Sequence, residues 1–409
     1  MIPLTTTHTV DTTFDHRRCV RFRGAENAMR ILTLSRDCTL DDAGNGTSVH
    51  ALSSELCRLG HEVAVLPCDT EPGAAAPDCQ WLDHSPAPYA QAARAYFAGE
   101  WLPDLIHAHD MRSGPAALRL TDAADVPLVL SVPTTEPDEH LWPRSSSEPT
   151  IDPRQRMAMR RADLLVVCSV AMRRKIAAAY RLDPASIEVL RHGVDLKTWH
   201  KMPIASTWAG QLYNPDRSPL LLTFGRLDEA AGVQDLVSAM PLIRRAHPGT
   251  RLVVAGDGSY RKTLCEQATR YGLAAVTTFP GELNLADLRA AIGAADVVVL
   301  PGQPTCDSAV LWTAAVGTPL VASRAGAPAE VILDGSTGRL CQPGSVADLA
   351  DAVSAELNDP ALAQAHAEAA KAKVRAEFGL RAIAERSAEL YRATVHRYRT
   401  AAGLLPRGT

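Results

Sequence analysis

Residues 296–323, DVVVLPGQPTCDSAVLWTAAVGTPLVAS, decide the fold. The run from Val297 to Leu300 is apolar without polar alternation and stops at Pro301 and Gly302. A helical stretch rich in Ala and Val follows, halts at Gly317, Thr318 and Pro319, and gives way to a second apolar run. Strands apolar on both faces must be covered on both sides. Two of them joined through a helix form the crossover unit of a parallel sheet.

The same alternation extends in both directions. Upstream lie ILTLS, a helix expected from Thr47 to Leu59, EVAVLP, DLIHAHD, PLVLSVP, DLLVVCS, AMRRKIAAAY and SIEVLRHG. These define a first α/β domain over about residues 29–190. The segment KTWHKMPIASTWAGQLYNPDRSP, Lys197 to Pro219, shows no period, and a linker is expected over residues 191–217. A second series, LLLTFGRL, RLVVAGDG, VTTFPG, DVVVLPG and PLVASRAG, builds a second domain over 218–375. The closing stretch, 376–409, is amphipathic at helical spacing and is expected to pack back towards the first domain. Residues 1–28 lack the apolar core of a signal peptide and read as a mobile extension. Two doubly wound Rossmann-like domains in tandem leave a crevice between their strand ends, suited to a two-part ligand.

A chain of 409 residues is long enough for two cores. Its net charge of -4 gives no electrostatic footprint for nucleic acid or an anionic membrane. Nine cysteines without a CxxC pair argue for reduced thiols and a cytoplasmic protein, and against a zinc site. No run approaches the length of a membrane span.

Gly44, Asn45 and Gly46 stand between the first strand and its helix, where backbone N–H groups can approach an anion at a positive helix terminus. Taken with HAHD, RHGVD, GRLDEAAG, AGDG, FPGE and GTPLVASRAGAPAE in this order, the chain resembles the retaining GT-B glycosyltransferases of glycosyltransferase family 4.

The resemblance implies that Gly44, Asn45 and Gly46 cover the diphosphate of a nucleotide sugar. It also implies that His109 lies beside the transferred sugar and that Arg226 binds the diphosphate, its guanidinium suiting bidentate phosphate contacts. The local alternative for Arg226 is an ion pair with Asp228 or Glu229. Gly256, Asp257, Gly258, Gly281, Glu282 and Glu330 fall where the family builds its nucleotide and sugar pocket. Asp257 and Glu282 suit a turn or solvent equally well. The expected co-substrate is a nucleoside diphosphate sugar, with UDP or GDP as the nucleotide and no metal or further cofactor. The expected acceptor is a small molecule, and a homodimer is compatible with the chain.

Three family residues are replaced. Ala231 stands where a Lys neutralises the leaving diphosphate, and the paired carboxylates of Glu-x7-Glu fall on Pro304 and Trp312. Arg324 and Arg191 are the candidate substitute cations. Trp312 serves either to fill a core or to pack against ribose or base. Asp307 and Ser308 either cap the helix or contact the sugar. Losing one charge-assisted contact costs roughly 1.5–3 kcal/mol, on the order of ten- to a hundred-fold in rate. Two readings follow: a glycosyltransferase with a remodelled donor pocket, placed in a specialised pathway such as antibiotic assembly of the lincosamide or aminoglycoside type, or a catalytically inactive GT-B module.

Overall fold

The computed structural model describes residues 20–21, 28–35, 45–67, 101–111, 113–132, 153–201, 218–302 and 308–403. Gly44, Pro304 and Asp307 lie outside them, as do most of the N-terminal extension and residues 202–217 of the expected linker. Asn45 and Gly46 are described only as the first residues of a helix.

Among the described residues the first sheet has seven strands. In spatial order they are β1 (Val20–Arg21), β3 (Glu62–Pro67), β2 (Arg30–Ser35), β4 (Leu105–Ala108), β5 (Leu128–Val132), β6 (Leu164–Val167) and β7 (Ile187–Val189). Strands β2 to β7 are parallel. Among the described residues only β1 runs antiparallel, with Val20 opposite Val65. Part of the segment expected to be a mobile extension is therefore an edge strand that covers backbone groups of β3. Every residue of β4 and β6 is buried, as their unbroken apolar runs require.

The second sheet has six parallel strands in the order β10 (Thr277–Gly281), β9 (Arg251–Ala255), β8 (Leu220–Phe224), β11 (Val297–Leu300), β12 (Leu320–Ser323) and β13 (Arg339–Cys341). The opening stretch is the expected crossover. Val298 pairs with Leu320 and Leu300 with Ala322, while the helix between them, Ser308–Val316, buries Val310, Leu311, Thr313, Ala314, Ala315 and Val316.

Strand order reverses between β2 and β4 in the first sheet and between β8 and β11 in the second. At such a reversal, the chain leaving one strand's carboxyl end departs in the opposite direction from its neighbour's and opens a crevice. His109 follows β4 and Arg226 follows β8, so each stands at its domain's switch point.

Within the expected linker, Val194 and Trp199 are built into the second domain. Trp199 is 4% exposed in the core formed around Leu220, Val298 and Leu311. Arg289 holds the Thr198 carbonyl at 2.5 Å. The helix Pro360–Glu377 packs on Ser308–Val316 in the second domain. After Gly379 the chain turns into the helix Leu380–Ala401, which crosses back to the first. There Ala384, Ala388, Tyr391 and Val395 share a core with Ile31, Leu105, Val129 and Val166.

Candidate active site

His107 and His109 are two residues apart at the end of β4, so the strand's period places both on one face. Their ring centroids are 3.7 Å apart. Burial, followed by the charge of nearby His192, lowers the pKa of His109 to about 3. Its imidazole is neutral across the ordinary pH range and can donate or accept one hydrogen bond at each nitrogen. His109 shares a cavity of about 70 Å³ with Ser131, Cys168, Arg191, His192 and Gly193.

The helix Val170–Tyr180, directly after β6, starts from Ser169, whose side chain accepts from Met172 N at 3.0 Å. The next donors, Val170 N and Ala171 N, are bound by the carboxylate of Glu330 from the second domain at 2.9 and 2.8 Å. A carboxylate suits the unsatisfied N–H groups and positive end of a helix. Glu330 also accepts from Arg191 Nη2 at 2.5 Å, with both side chains largely buried. Glu330 thus forms an interdomain clamp. Because Glu330 closely follows β12, the clamp shows that the carboxyl edges of the two sheets face each other. Arg191 Nη1 is buried and has no hydrogen-bond partner among the described residues.

Across the crevice, Arg226 is held by Asp228 through Nε at 3.0 Å and Nη2 at 2.9 Å. The local alternative raised for Arg226 is thus the contact observed. The other oxygen of Asp228 accepts from Ala231 N at 2.9 Å, so this carboxylate fixes both the arginine and the turn after it. Gly256 and Gly258 have φ values of 127° and 154°. A Cβ on Gly256 would stand 1.9 Å from the Gly225 carbonyl oxygen, and one on Gly258 2.4 Å from that of Leu227. Their small size lets the two loops bond backbone to backbone, Gly225 N to Ala255 O at 3.0 Å and Leu227 N to Asp257 O at 2.8 Å. These glycines position the loop that carries Arg226. Asp257 turns back on its neighbour, accepting from Gly258 N at 2.7 Å. Gly281 ends β10 with its carbonyl bound by Gly256 N, and Glu282 beyond it is exposed.

Trp312, at a family carboxylate position, is half-buried and lies flat on Trp199, centroids 4.6 Å apart and planes 6° apart. It fills a core with an aromatic partner that the sequence reading did not consider. Ser308 is the first residue of its helix. Arg324 is engaged by Asp334 and by the Leu340 carbonyl at 3.0 Å. Of the two substitute cations, Arg191 is the one that lines the cavity containing His109.

The structure therefore gathers His109 and Arg191 on one wall, places Arg226 on the glycine-supported loop of the other domain, and leaves Glu282 in solvent. Sequence reasoning missed His107, Ser131, His192 and Tyr391. The two-residue spacing of HAHD was a usable signal for His107, and His192 stood in the quoted RHGVD. Nothing local marks Ser131 or Tyr391.

Residues 43–198 match the family described as Glycosyltransferase Family 4 and residues 206–373 that described as Glycosyl transferases group 1. Glycogen synthase of Mycobacterium tuberculosis is 34% identical over 399 residues, covering 89% of this chain and 94% of that protein. D-inositol 3-phosphate glycosyltransferase of Kineococcus radiotolerans is 29% identical over 418 residues, covering 91% and 96%. Among solved structures, sucrose-phosphate synthase of Thermosynechococcus elongatus superposes with a TM-score of 0.74 at 22% identity, over 89% of this chain and 98% of that one. Anabaena HepE in complex with UDP-glucose gives 0.70 at 21%, over 89% and 100%.

Two facing Rossmann-like domains of this kind are the GT-B fold. The chain belongs to glycosyltransferase family 4 and is a nucleotide-sugar-dependent glycosyltransferase. None of these relatives is described as an antibiotic-pathway enzyme or as an inactive module. Among the described residues no helix is long and apolar enough to cross a membrane.

Proposed function

We propose that the chain transfers a hexosyl group, with retention, from a nucleoside diphosphate hexose to a hydroxyl of a carbohydrate acceptor held against the first domain. The observation that carries this is the pairing of switch points: neutral His109 with Arg191 on one side and Arg226 on the other, on carboxyl edges that the Glu330 clamp brings face to face. The glycogen synthase relative, which spans nearly the whole chain, supports glucose as the sugar and a glucan as the acceptor.

In the reaction the bond from sugar C1 to the phosphate oxygen breaks, the acceptor oxygen bonds C1 on the same face, and the acceptor proton passes to the departing phosphate. His109 holds a sugar hydroxyl, while Arg226 and Arg191 stabilise the charge that develops on the phosphate. Arg191 takes over the neutralising role for which Ala231 has no side chain. No metal is required, since two guanidinium groups and helix N-termini meet the charge.

The test supplies EDTA-dialysed protein with UDP-glucose or GDP-mannose and with maltooligosaccharides, reading product anomers by ¹H NMR. An α-linked product from an α-linked donor is expected. An inverted product, dependence on added magnesium or manganese, or neither transfer nor calorimetric binding of UDP or GDP would overturn the proposal.

A further inference from the structure

His107 lines the cavity and is bonded at both ring nitrogens. Its Nδ1 is 2.7 Å from the Tyr391 hydroxyl and its Nε2 2.7 Å from Ser131 Oγ, and the residue is 1% exposed. With both nitrogens bonded, the ring can neither flip nor turn without leaving a buried polar atom unpaired. Its ring lies against that of His109, 3.7 Å between centroids and tilted by 35°, while Tyr391 meets its edge at 69°.

Tyr391 comes from the last helix, Leu380–Ala401, which the second domain delivers to the first. That helix enters through a narrow passage. A Cβ on Gly193 would stand 2.9 Å from Leu380 Cα, and Val194 N bonds the Phe378 carbonyl at 2.9 Å. Leu380 and Ile383 then line the same cavity as His109. One helix therefore forms part of the cavity wall and, farther along, clamps the ring beneath His109.

We infer that Tyr391 is a positioning residue for transfer: through His107 it fixes the imidazole of His109, so docking of the C-terminal helix and competence of the acceptor-side histidine are one event. The inference rests on the role proposed for His109, and the experiment separates the two.

Tyr391→Phe keeps the ring and removes the hydroxyl, and Ser131→Ala releases the other nitrogen without touching the helix. UDP or GDP release is followed with UDP-glucose or GDP-mannose, whichever the wild type turns over. Each variant is expected to lower kcat, Tyr391→Phe by about tenfold to a hundredfold as a small misplacement does, with the donor KM unchanged. Adding Tyr391→Phe to His109→Ala should produce no further loss, because the group being positioned is already gone. Histidine ¹⁵N spectra of Tyr391→Phe should show His107 and His109 shifting together.

Full kcat in both Tyr391→Phe and Ser131→Ala, with His109→Ala impaired, overturns the inference alone. Full kcat in His109→Ala overturns the role of His109. If Tyr391→Phe fails to fold, Ser131→Ala decides: an unchanged kcat and unmoved His109 resonances sink the inference. An equal loss from Tyr391→Phe in the His109→Ala background would show that the tyrosine acts elsewhere, and would also overturn it.

Discussion

Trp312 lies parallel to Trp199, 4.6 Å between ring centroids, across 113 residues of chain. The stack ties the helix after β11 to the segment that joins the two domains. Restoring the family carboxylate by Trp312→Glu would put a charge against Trp199 and remove a large ring. A loss of about 2–4 kcal/mol is expected, the range for truncating a partly buried aromatic. Chemical denaturation reads the loss, and donor preference should not change. A stable variant with stronger UDP or GDP binding would mark the position as a lapsed ribose site.

Glu330 joins the domains through Arg191 and two amide N–H groups. Glu330→Ala leaves a largely buried guanidinium and a helix terminus without their acceptor, at a cost of about 1–3 kcal/mol. The expected result is a lower melting temperature and a larger radius of gyration in solution scattering. Unchanged scattering would show that other contacts set the domain arrangement.

Arg226 is partly exposed and pairs with Asp228 on its own loop. Arg226→Ala should lower kcat/KM roughly ten- to a hundred-fold, the effect of one charge-assisted contact, with little change in melting temperature. Arg226→Lys should recover only part, because a point charge does not reproduce the planar fork. Equal rates in all three proteins would remove Arg226 from the diphosphate site.

Gly256 admits no side chain without displacing Gly225. Gly256→Ala is expected to cost more than about 3 kcal/mol, since overpacking and an unfavourable φ act together. Weakened protein that still folds should bind UDP or GDP poorly, because the displaced loop carries Arg226. Wild-type stability with intact nucleotide binding would contradict the packing described here.

Burial holds His109 at a pKa of about 3, and burial also lowers His107, His50 and His61. The unfolded chain takes up these protons near pH 6.5, whereas the folded chain resists them. For His109 that stability is full above pH 6.5 and falls as pH drops towards 3, by about 1.4 kcal/mol per pH unit, and the other three act in the same direction. Urea midpoints at pH 7.5 and 5.5 test the sign, and His109→Asn should flatten the slope. A midpoint that rises on acidification would refute the assignment.

The legible parts of this protein were those that local chemistry dictates. Apolar runs without alternation gave two parallel sheets because a strand covered on both faces has no use for polar residues. Loop signals placed His109 and Arg226 at strand ends, where switch points lie. The limits of local reading show at Glu330, whose carboxylate follows a glycine pair and whose bond to Val170 N, 160 positions away, no local signal announces. They show again at the AGDG turn, where both glycines exist for the neighbouring loop.

The sequence by itself determined the class of fold, the family and the order of the site's loops, because these depend on periodicity and turn chemistry within short windows. Only the tertiary structure decided what Trp312, Glu330 and Arg191 are bound to, and that Tyr391 reaches His107 across 284 residues. Such pairings are fixed by how two domains and a returning helix pack. No local preference records that packing, since a tryptophan, a tyrosine or a carboxylate suits many environments until a particular neighbour is brought against it.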